Sequence, residues 1–452
     1  MRRHLAWLFF LGCSPTPAQK APDIQLPIFD ASAVQIDAGP APVSVTVFLG
    51  GAPEPGVLVA FQDASGAVLG TATTDKKGTA SRVLPAGSQV TVLLGSAATT
   101  LAIYTYVGVE PGDALAVVDP TVAGSLVTAI VDALPPNPPA ATATFLGHIG
   151  TCTTYFGQTP AAMYAWPECV NNGKFPLLVL AQGGSGPPSL GYAFQKDNTI
   201  TDPDAGTASI TVSGNWSTTV GTWTIDASNV PTSATVSASF AEIANGIPDA
   251  LAGVPPASFE THPGYADFVQ SEVVASFPPG NIADVQMASI ATRAPTPALD
   301  GNVTIDLGQL LPAITGASAD FATDPARPTV TWKTGGSLAS ADGTFVRVDC
   351  MHTDDAALQT SVKWQLVVPP SATSVQVPAL PPEADAWTSS GVGLYSTPTV
   401  VTVDGLGGYA QLRKLAATVP PPDVTAKTSP PFIPPLPKDG TVRLTLYGPS
   451  PD

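Results

Sequence analysis

The sequence predicts an all-β protein: tandem antiparallel β-sandwiches that follow a signal peptide and a disordered tether. Three observations predict it. Short runs rich in Val, Ile, Thr, Phe and Trp alternate apolar with polar residues, the period of a half-buried strand. Turn residues punctuate these runs at roughly 8–12-residue intervals, the spacing of sandwich strands. The 452 residues include 49 Pro and 41 Gly, and only 12% are charged, against about 25% in an ordinary soluble domain. This composition excludes a coiled coil, a long helical bundle, a collagen-like repeat and a multi-span membrane protein. At roughly 150 residues per domain, about three domains are expected, each large enough to bury a core.

The chain opens with Arg2 and Arg3, then the apolar run Leu5-Ala6-Trp7-Leu8-Phe9-Phe10-Leu11, then Gly12 and Cys13. Seven apolar residues suit the core of a short signal peptide and fall far below the roughly 20 that span a bilayer. No later stretch is long, apolar and free of Pro, Gly and charge. The segment Phe10-Leu11-Gly12-Cys13 resembles the lipobox of bacterial lipoproteins, with Phe10 where the family usually has Leu. The resemblance implies that residues 1–12 are removed and that Cys13 is diacylated and becomes the mature N-terminus. Ser14, rather than Asp, after the cysteine implies delivery to the outer membrane of a two-membrane bacterium. Loss of Arg2 and Arg3 takes the net charge from −17 to −19. So acidic a body is repelled by anionic lipid, and the acyl chains are its membrane contact.

Residues 13–42 are rich in Pro, Ala, Asp and Ser and lack the periodicity of a core. They read as a solvated tether reaching on the order of 30 Å as a coil and about 90 Å extended.

Residues 43–134 form the first unit. Val43 to Leu49 alternates at period two. Gly56 to Gln62 follows, then turns at Asp63-Ala64-Ser65-Gly66, at Thr74-Asp75-Lys76-Lys77-Gly78 and at Pro85-Ala86-Gly87-Ser88, and the run Gln89 to Leu94. Over about fifty residues this succession resembles the carboxypeptidase regulatory-like family, a transthyretin-like sandwich also grouped with bacterial Ig-like modules. The matching positions are Gly56-Val57, Asp63 to Gly66, Thr74-Asp75 with Gly78, and Leu84-Pro85 with Gly87. They encode turns, so the resemblance implies a fold and no activity. The His-x-x-Glu ligand pattern of the zinc peptidase that lends its name is absent: Trp7, Thr151, Tyr265 and Asp355 stand three residues after the four histidines.

A break at Leu134-Pro135-Pro136-Asn137-Pro138-Pro139 leads to a second sandwich over residues 140–297, with strands at Phe175 to Leu180, Thr207 to Val212, Thr222 to Ile225 and Ala234 to Phe240. A third covers 298–418, with strands at Val330 to Trp332, Phe345 to Val348, Val362 to Leu366 and Val400 to Val403. The two echo each other at Val230-Pro231-Thr232-Ser233-Ala234-Thr235 and Val368-Pro369-Pro370-Ser371-Ala372-Thr373. The tail, 419–452, is Pro-rich but contains the strand Thr441 to Tyr447, expected to pair with an edge of the second or third unit.

Cys152 and Cys169 lie in one loop-rich segment with Tyr155, Gly157, Pro160 and Pro167. In an oxidising compartment they are the natural disulfide, worth about 3 kcal/mol; two separate buried thiols are the alternative. Cys350, on the strand face opposite Arg347 and Asp349, reads as an inert core thiol.

No catalytic residue, cofactor site or metal site is expected. Gly183-Gly184-Ser185-Gly186-Pro187 places Pro187 where a nucleophile elbow needs Gly, and reads as a hairpin loop. No C-x-x-C, H-E-x-x-H, phosphate loop or dinucleotide fingerprint occurs. His148, His262 and His352 lie more than eighty residues from one another, so any His-based site must assemble across domains. Asp202, Asp204, Asp354 and Asp355 lack the alternating ligands of a calcium loop and read as solvated turns. Trp332 and Trp364 fall in strands and read as core, whereas Trp166, Trp216 and Trp387 near turns leave a glycan platform open. Lys76-Lys77 and Arg413-Lys414 are the only adjacent basic pairs after the N-terminus, which excludes nucleic acid as a partner. The sequence therefore points to a non-enzymatic, lipid-anchored envelope protein with a structural or protein-interaction role. A carbohydrate- or peptide-binding module is the alternative, and a hydrolase with a cross-domain site a remote one.

Overall fold

A computed structural model describes residues 40–49, 52–95, 101–119, 127–150, 152–157, 161–165, 169, 174–183, 186–199, 207–245, 247–278, 284–297, 299–353, 359–388, 397–416 and 440–449. Cys13 and the tether to Gly39 lie outside them, as do Trp166, Ser185, Asp202, Asp204, Asp354 and Asp355. The protein is an assembly of β-sandwiches. Among the described residues no helix is long and apolar enough to cross a membrane.

The first sandwich contains β1 (Val43–Leu49), β2 (Ala52–Pro53), β3 (Leu58–Gln62), β4 (Val68–Thr73), β5 (Thr79–Arg82), β6 (Ser88–Leu94), β7 (Leu101–Val109) and β8 (Ala114–Asp119). Val43, Val45 and Val47 point inward and meet Val59, Phe61, Val90 and Val92 of the facing layer. The expected turns are present: Asp63 Oδ1 accepts the Ser65 and Ala67 amides, and Asp75 Oδ1 those of Lys77 and Thr79. Gly78 has φ +71°, and a Cβ there would lie 2.6 Å from the Val47 carbonyl oxygen, so glycine is required on both counts.

The second sandwich contains β9 (Val127–Ala133), β10 (Thr144–Ile149), β11 (Cys152–Phe156), β12 (Ala161–Ala165), β13 (Lys174–Gly183), β14 (Gly186–Thr199) and β15 (Thr207–Thr211). A disulfide joins Cys152 to Cys169 in its core. Gly183 at the end of β13 pairs with Gly186 at the start of β14. Strand β9, in sequence part of the first unit, pairs here with β12 and β15.

A third sandwich contains β16 (Gly221–Ser228), β17 (Thr235–Ala244), β18 (Ile247–Gly253), β19 (Ala257–Thr261), β20 (Phe268–Phe277), β21 (Asp284–Pro295) and β22 (Gly301–Asp306). The fourth contains β23 (Ile314–Asp320), β24 (Thr329–Thr334), β25 (Gly343–Thr353), β26 (Gln359–Val368), β27 (Ser374–Gln376), β28 (Thr399–Asp404), the short helix α1 (Tyr409–Leu415) and β29 (Thr441–Pro449). The stretch 140–297 thus carries two apolar cores where the sequence suggests one sandwich. Alternation and turns recur evenly through it and mark no boundary near Val220. Strand β22, read as the start of the third unit, pairs with β16 of the preceding sandwich. The Val-Pro echo is a shared turn: the Ala234 amide donates to Pro231, and that of Ala372 to Pro369. In each case the chain then crosses between sheets.

One continuous sheet unites the first, third and fourth sandwiches, in the order β18-β17-β20-β21-β29-β28-β25-β26-β7-β6-β3-β4. Strand β29 pairs with an edge of each predicted neighbour at once, antiparallel to β21 and to β28. Four pairings run parallel: β1 with β8, β9 with β15, β16 with β22, and β7 with β26. The middle strands are buried on both faces. Phe345 and Val401 face the first core, while Val346 and Val400 face the fourth. That explains why Val400 to Val403 reads as a nearly continuous apolar run. Trp332 and Trp364 lie in the fourth core, and Trp364 Nε1 donates to Thr105 Oγ1 across the β26–β7 junction at 2.9 Å.

Candidate functional site

The site lies where the third sandwich opens against the outer face of the second. Two strands with free outer edges form its rim. β18 ends the twelve-stranded sheet, and β19 ends the three-stranded sheet that faces it. The second sandwich supplies the floor. On β10, Ile149 turns into the sandwich core, which places Leu146 and His148 on the outer face. Gly147 between them leaves room for Met163, whose Sδ would lie 2.5 Å from a Cβ at that position. Opposite on β13 stand Leu180 and Leu178. Leu146, Leu178, Leu180 and Tyr192 pack against Ala244, Tyr265 and Ala266, an apolar seam between the two sandwiches.

The alternation that sends Ala238 and Phe240 into the third core carries Glu242 onto the same face of β17. Across the ladder, Phe240 faces Leu251 and Glu242 faces Asp249. Two carboxylates directly opposite on one face repel, and each is met by an imidazole. His262 Nδ1 donates to Glu242 Oε2 at 2.6 Å, and the His262 amide donates to Glu242 Oε1 at 2.8 Å. His148, from the second sandwich, brings Nδ1 to 3.3 Å from Asp249 Oδ1, in ion-pair range but without hydrogen-bond alignment. All four residues are at most 8% exposed. A third carboxylate, Glu260 on β19, accepts the Ser189 amide at 2.8 Å and the Ser189 hydroxyl.

The histidines converge on a cavity of about 490 Å³, also lined by Gln182, Phe240, Leu251, Phe259 and Glu260. Nε2 of His148 and Nε2 of His262 are buried without a hydrogen-bond partner. The Tyr265 hydroxyl, in the apolar seam between the two sandwiches, is likewise buried and unpartnered. Burial, followed by the carboxylates of Asp249, Glu242 and Asp267, pushes its ionisation well up. Leu251 and Val254 are exposed at the mouth. Among the described residues no three His, Cys, Asp or Glu side chains are placed to hold a metal ion.

The structure brings together residues that sequence reading left scattered. Glu242 on the apolar face of Phe240-x-Glu242-x-Ala244 was the available signal, since a carboxylate at a core-facing position demands a partner. The tryptophans are engaged elsewhere. Trp216 stacks on Phe145 and donates to the Pro135 carbonyl at 2.9 Å, and Trp387 is half-buried against the fourth core. Cys350 is buried in that core, its Sγ 3.5 Å from the Val362 carbonyl. The His352 side chain lies outside the described residues.

No protein-family model matches the chain, and no curated protein does. Among solved structures, the Bacillus anthracis TIE protein is similar over 59% of this chain and 50% of its own, with 10% identity and a TM-score of 0.15. The pilus adhesin SpaC of Lactobacillus rhamnosus GG, in its open conformation, aligns over 72% of this chain and 43% of its own, with 10% identity and a TM-score of 0.13. The shaft pilin SpaA of the same organism aligns over 60% of this chain and 100% of its own, with 9% identity and a TM-score of 0.13. The chain thus spans half or less of the length of the first two.

Proposed function

We propose that this chain is a non-enzymatic, lipid-anchored envelope protein that acts by binding, and that the cleft between its second and third sandwiches is the binding site. The observation that carries this reading is the cavity of about 490 Å³ between the two sandwiches, lined by three carboxylates and by two histidines whose buried Nε2 atoms have no hydrogen-bond partner. Buried polar atoms are nearly always satisfied, so two orphans among the residues that line one cavity call for an explanation, and a concave, largely apolar site with a few polar groups is where ligands bind. Neither Nε2 has a serine, threonine or cysteine in hydrogen-bond reach, and the Ser189 hydroxyl is given to Glu260. That supports binding over nucleophilic catalysis, which needs a nucleophile hydrogen-bonded to its base. Anchoring rests on Cys13 and its lipobox resemblance, with the membrane as partner through the acyl chains.

A melting-temperature screen of amines, carboxylates, sugars and short peptides tests the cleft. A ligand that raises the wild-type Tm and not that of Ser258→Trp supports it; no ligand with that behaviour rejects it. Globomycin or Cys13→Ala should move the protein out of the membrane fraction, and unchanged fractionation rejects the anchor.

One observation favours a second reading, a hydrolase with a cross-domain site. Glu242 fixes His262 with Nδ1 as donor, which leaves Nε2 the acceptor that a general base requires. Turnover of ester or amide substrates by the wild type, lost in His262→Gln with the fold retained, would establish it.

A further inference from the structure

On that reading of the cleft as a binding site, we propose that its ligand is an organic cation: an ammonium or guanidinium group on an aliphatic stem, either a free amine or a lysine or arginine side chain of a polypeptide.

The sign of the ligand follows from the lining. Glu242, Asp249 and Glu260 face the cavity, and no lysine or arginine does. With both imidazoles neutral the lining carries three negative charges. With both protonated it still carries one. With the three carboxylates ionised, the excess stands whichever charge the two imidazoles carry. The two buried carboxylates are cross-strand partners, and Glu260 is met only by the neutral donors of Ser189. An anionic ligand would add a further like charge to a mostly apolar enclosure, at a steep desolvation cost.

The donor count agrees. With the His262 Nδ1–H given to Glu242, its Nε2 is left as an acceptor, buried without a donor. His148 Nε2 is equally unpartnered. An ammonium offers three donors and no acceptor, a guanidinium five and none, and either forms short, charge-assisted bonds to carboxylates. The walls suit the stem. Leu146 and Leu180 on one side face Leu251 on the other. The rings of Phe240 and Phe259, stacked at 5.5 Å, add aromatic surface of the kind that attracts cations. A cavity of about 490 Å³ falls in the range of small-molecule sites and has room for one such side chain.

The test uses the full folded chain and four probes read by saturation-transfer NMR: n-butylammonium, n-butylguanidinium, n-pentanol and pentanoate. The expected result is saturable binding of the two cations, with pentanol and pentanoate at least tenfold weaker. Glu260→Gln should weaken the cations tenfold or more and leave pentanol unchanged. Glu383→Gln, at an exposed site far from the lining, should change neither. Should Glu260→Gln fold poorly, Ser258→Lys places a resident ammonium at the exposed rim; it should abolish cation binding and keep pentanol. Capped lysine bound more tightly than butylammonium identifies a polypeptide as the source, and the reverse order a free amine. Pentanol or pentanoate bound as tightly as butylammonium overturns the cation and leaves the cleft as a binding site. No saturable binding of any probe overturns both.

Discussion

The guanidinium of Arg413, on the only α-helix among the described residues, lies 2.7 Å from the carboxylate of Asp113, and the pair ties the fourth sandwich to the first. Arg413 also donates to the Gly108 carbonyl at 2.9 Å and lies over the ring of Tyr409. The Tyr409 hydroxyl lies 2.5 Å from the Val107 carbonyl and 2.9 Å from that of Val367, against both β7 and β26. Both charges are largely buried. Removing one partner should therefore cost more than removing both, because it leaves an uncompensated buried charge. Arg413→Met should lower the urea-unfolding free energy by about 3–5 kcal/mol, and Arg413→Met with Asp113→Asn by less. A double variant no better than the single would reject the pairing as the source of the loss.

Glu272 on β20 makes a second prediction. It is buried, and the Ser239 hydroxyl donates to it at 3.2 Å. Burial pushes its ionisation up to about 8, with the hydroxyls of Ser289 and Ser239 pulling partly back. The folded state therefore holds a proton that the unfolded chain releases near the ordinary value of 4.5. Stability is full below about 4.5 and falls as pH rises towards 8, by up to about 1.4 kcal/mol per pH unit. Glu272→Gln should flatten the fall in Tm between pH 5 and pH 8. An unchanged slope would place its source elsewhere.

A buried polar row crosses the junction between the first and fourth sandwiches. Gln62 Nε2 donates to Thr91 Oγ1 at 3.1 Å, the Thr91 and Thr105 hydroxyls meet at 2.9 Å, and Trp364 donates to Thr105. Thr105→Val should strand the Trp364 N–H and cost about 1–3 kcal/mol. Trp364→Phe combined with it should recover part of that loss in equilibrium unfolding. Full additivity of the two changes would contradict the bond.

Leu446 on β29 is fully buried, opposite Met287 on one side and Val401 on the other. Leu446→Ala should destabilise the chain by about 2–5 kcal/mol. Removal of residues 441–449 should expose the facing edges of β21 and β28 and promote association, visible in light scattering. A monomeric, unshifted melt would reject the central placement of this strand.

The disulfide closes a sequence separation of 17 residues. Cys152→Ala with Cys169→Ala should lower stability by about 3 kcal/mol, with the loss read in hydrogen exchange at β10, β11 and β13. A loss spread evenly over the whole sheet would argue against a local role.

The legible part of the fold was its local grammar. Val43 to Leu49 showed its inward face by alternation, Asp63 to Gly66 its turn by side-chain capping, and Trp332 and Trp364 their burial by position. Alternation fixes which face a residue takes, and says nothing about which strand lies beside it. The parallel pairing of Leu101 with Val362 and the seat of β29 were invisible for that reason. The site was illegible for a related one. Glu242 and His262 lie 20 residues apart, but His148 and Asp249 are brought together only by the docking of two sandwiches whose boundary carries no distinctive sequence.

Strand β29 comes last in chain order among the described strands and stands fifth in a sheet of twelve. Its neighbours β21 and β28 do not pair with each other, so each depends on Thr441 to Pro449 to satisfy one edge. A chain cut short before this strand by a premature stop or a protease would therefore be left with two sticky borders, ready substrates for chaperones and degradation.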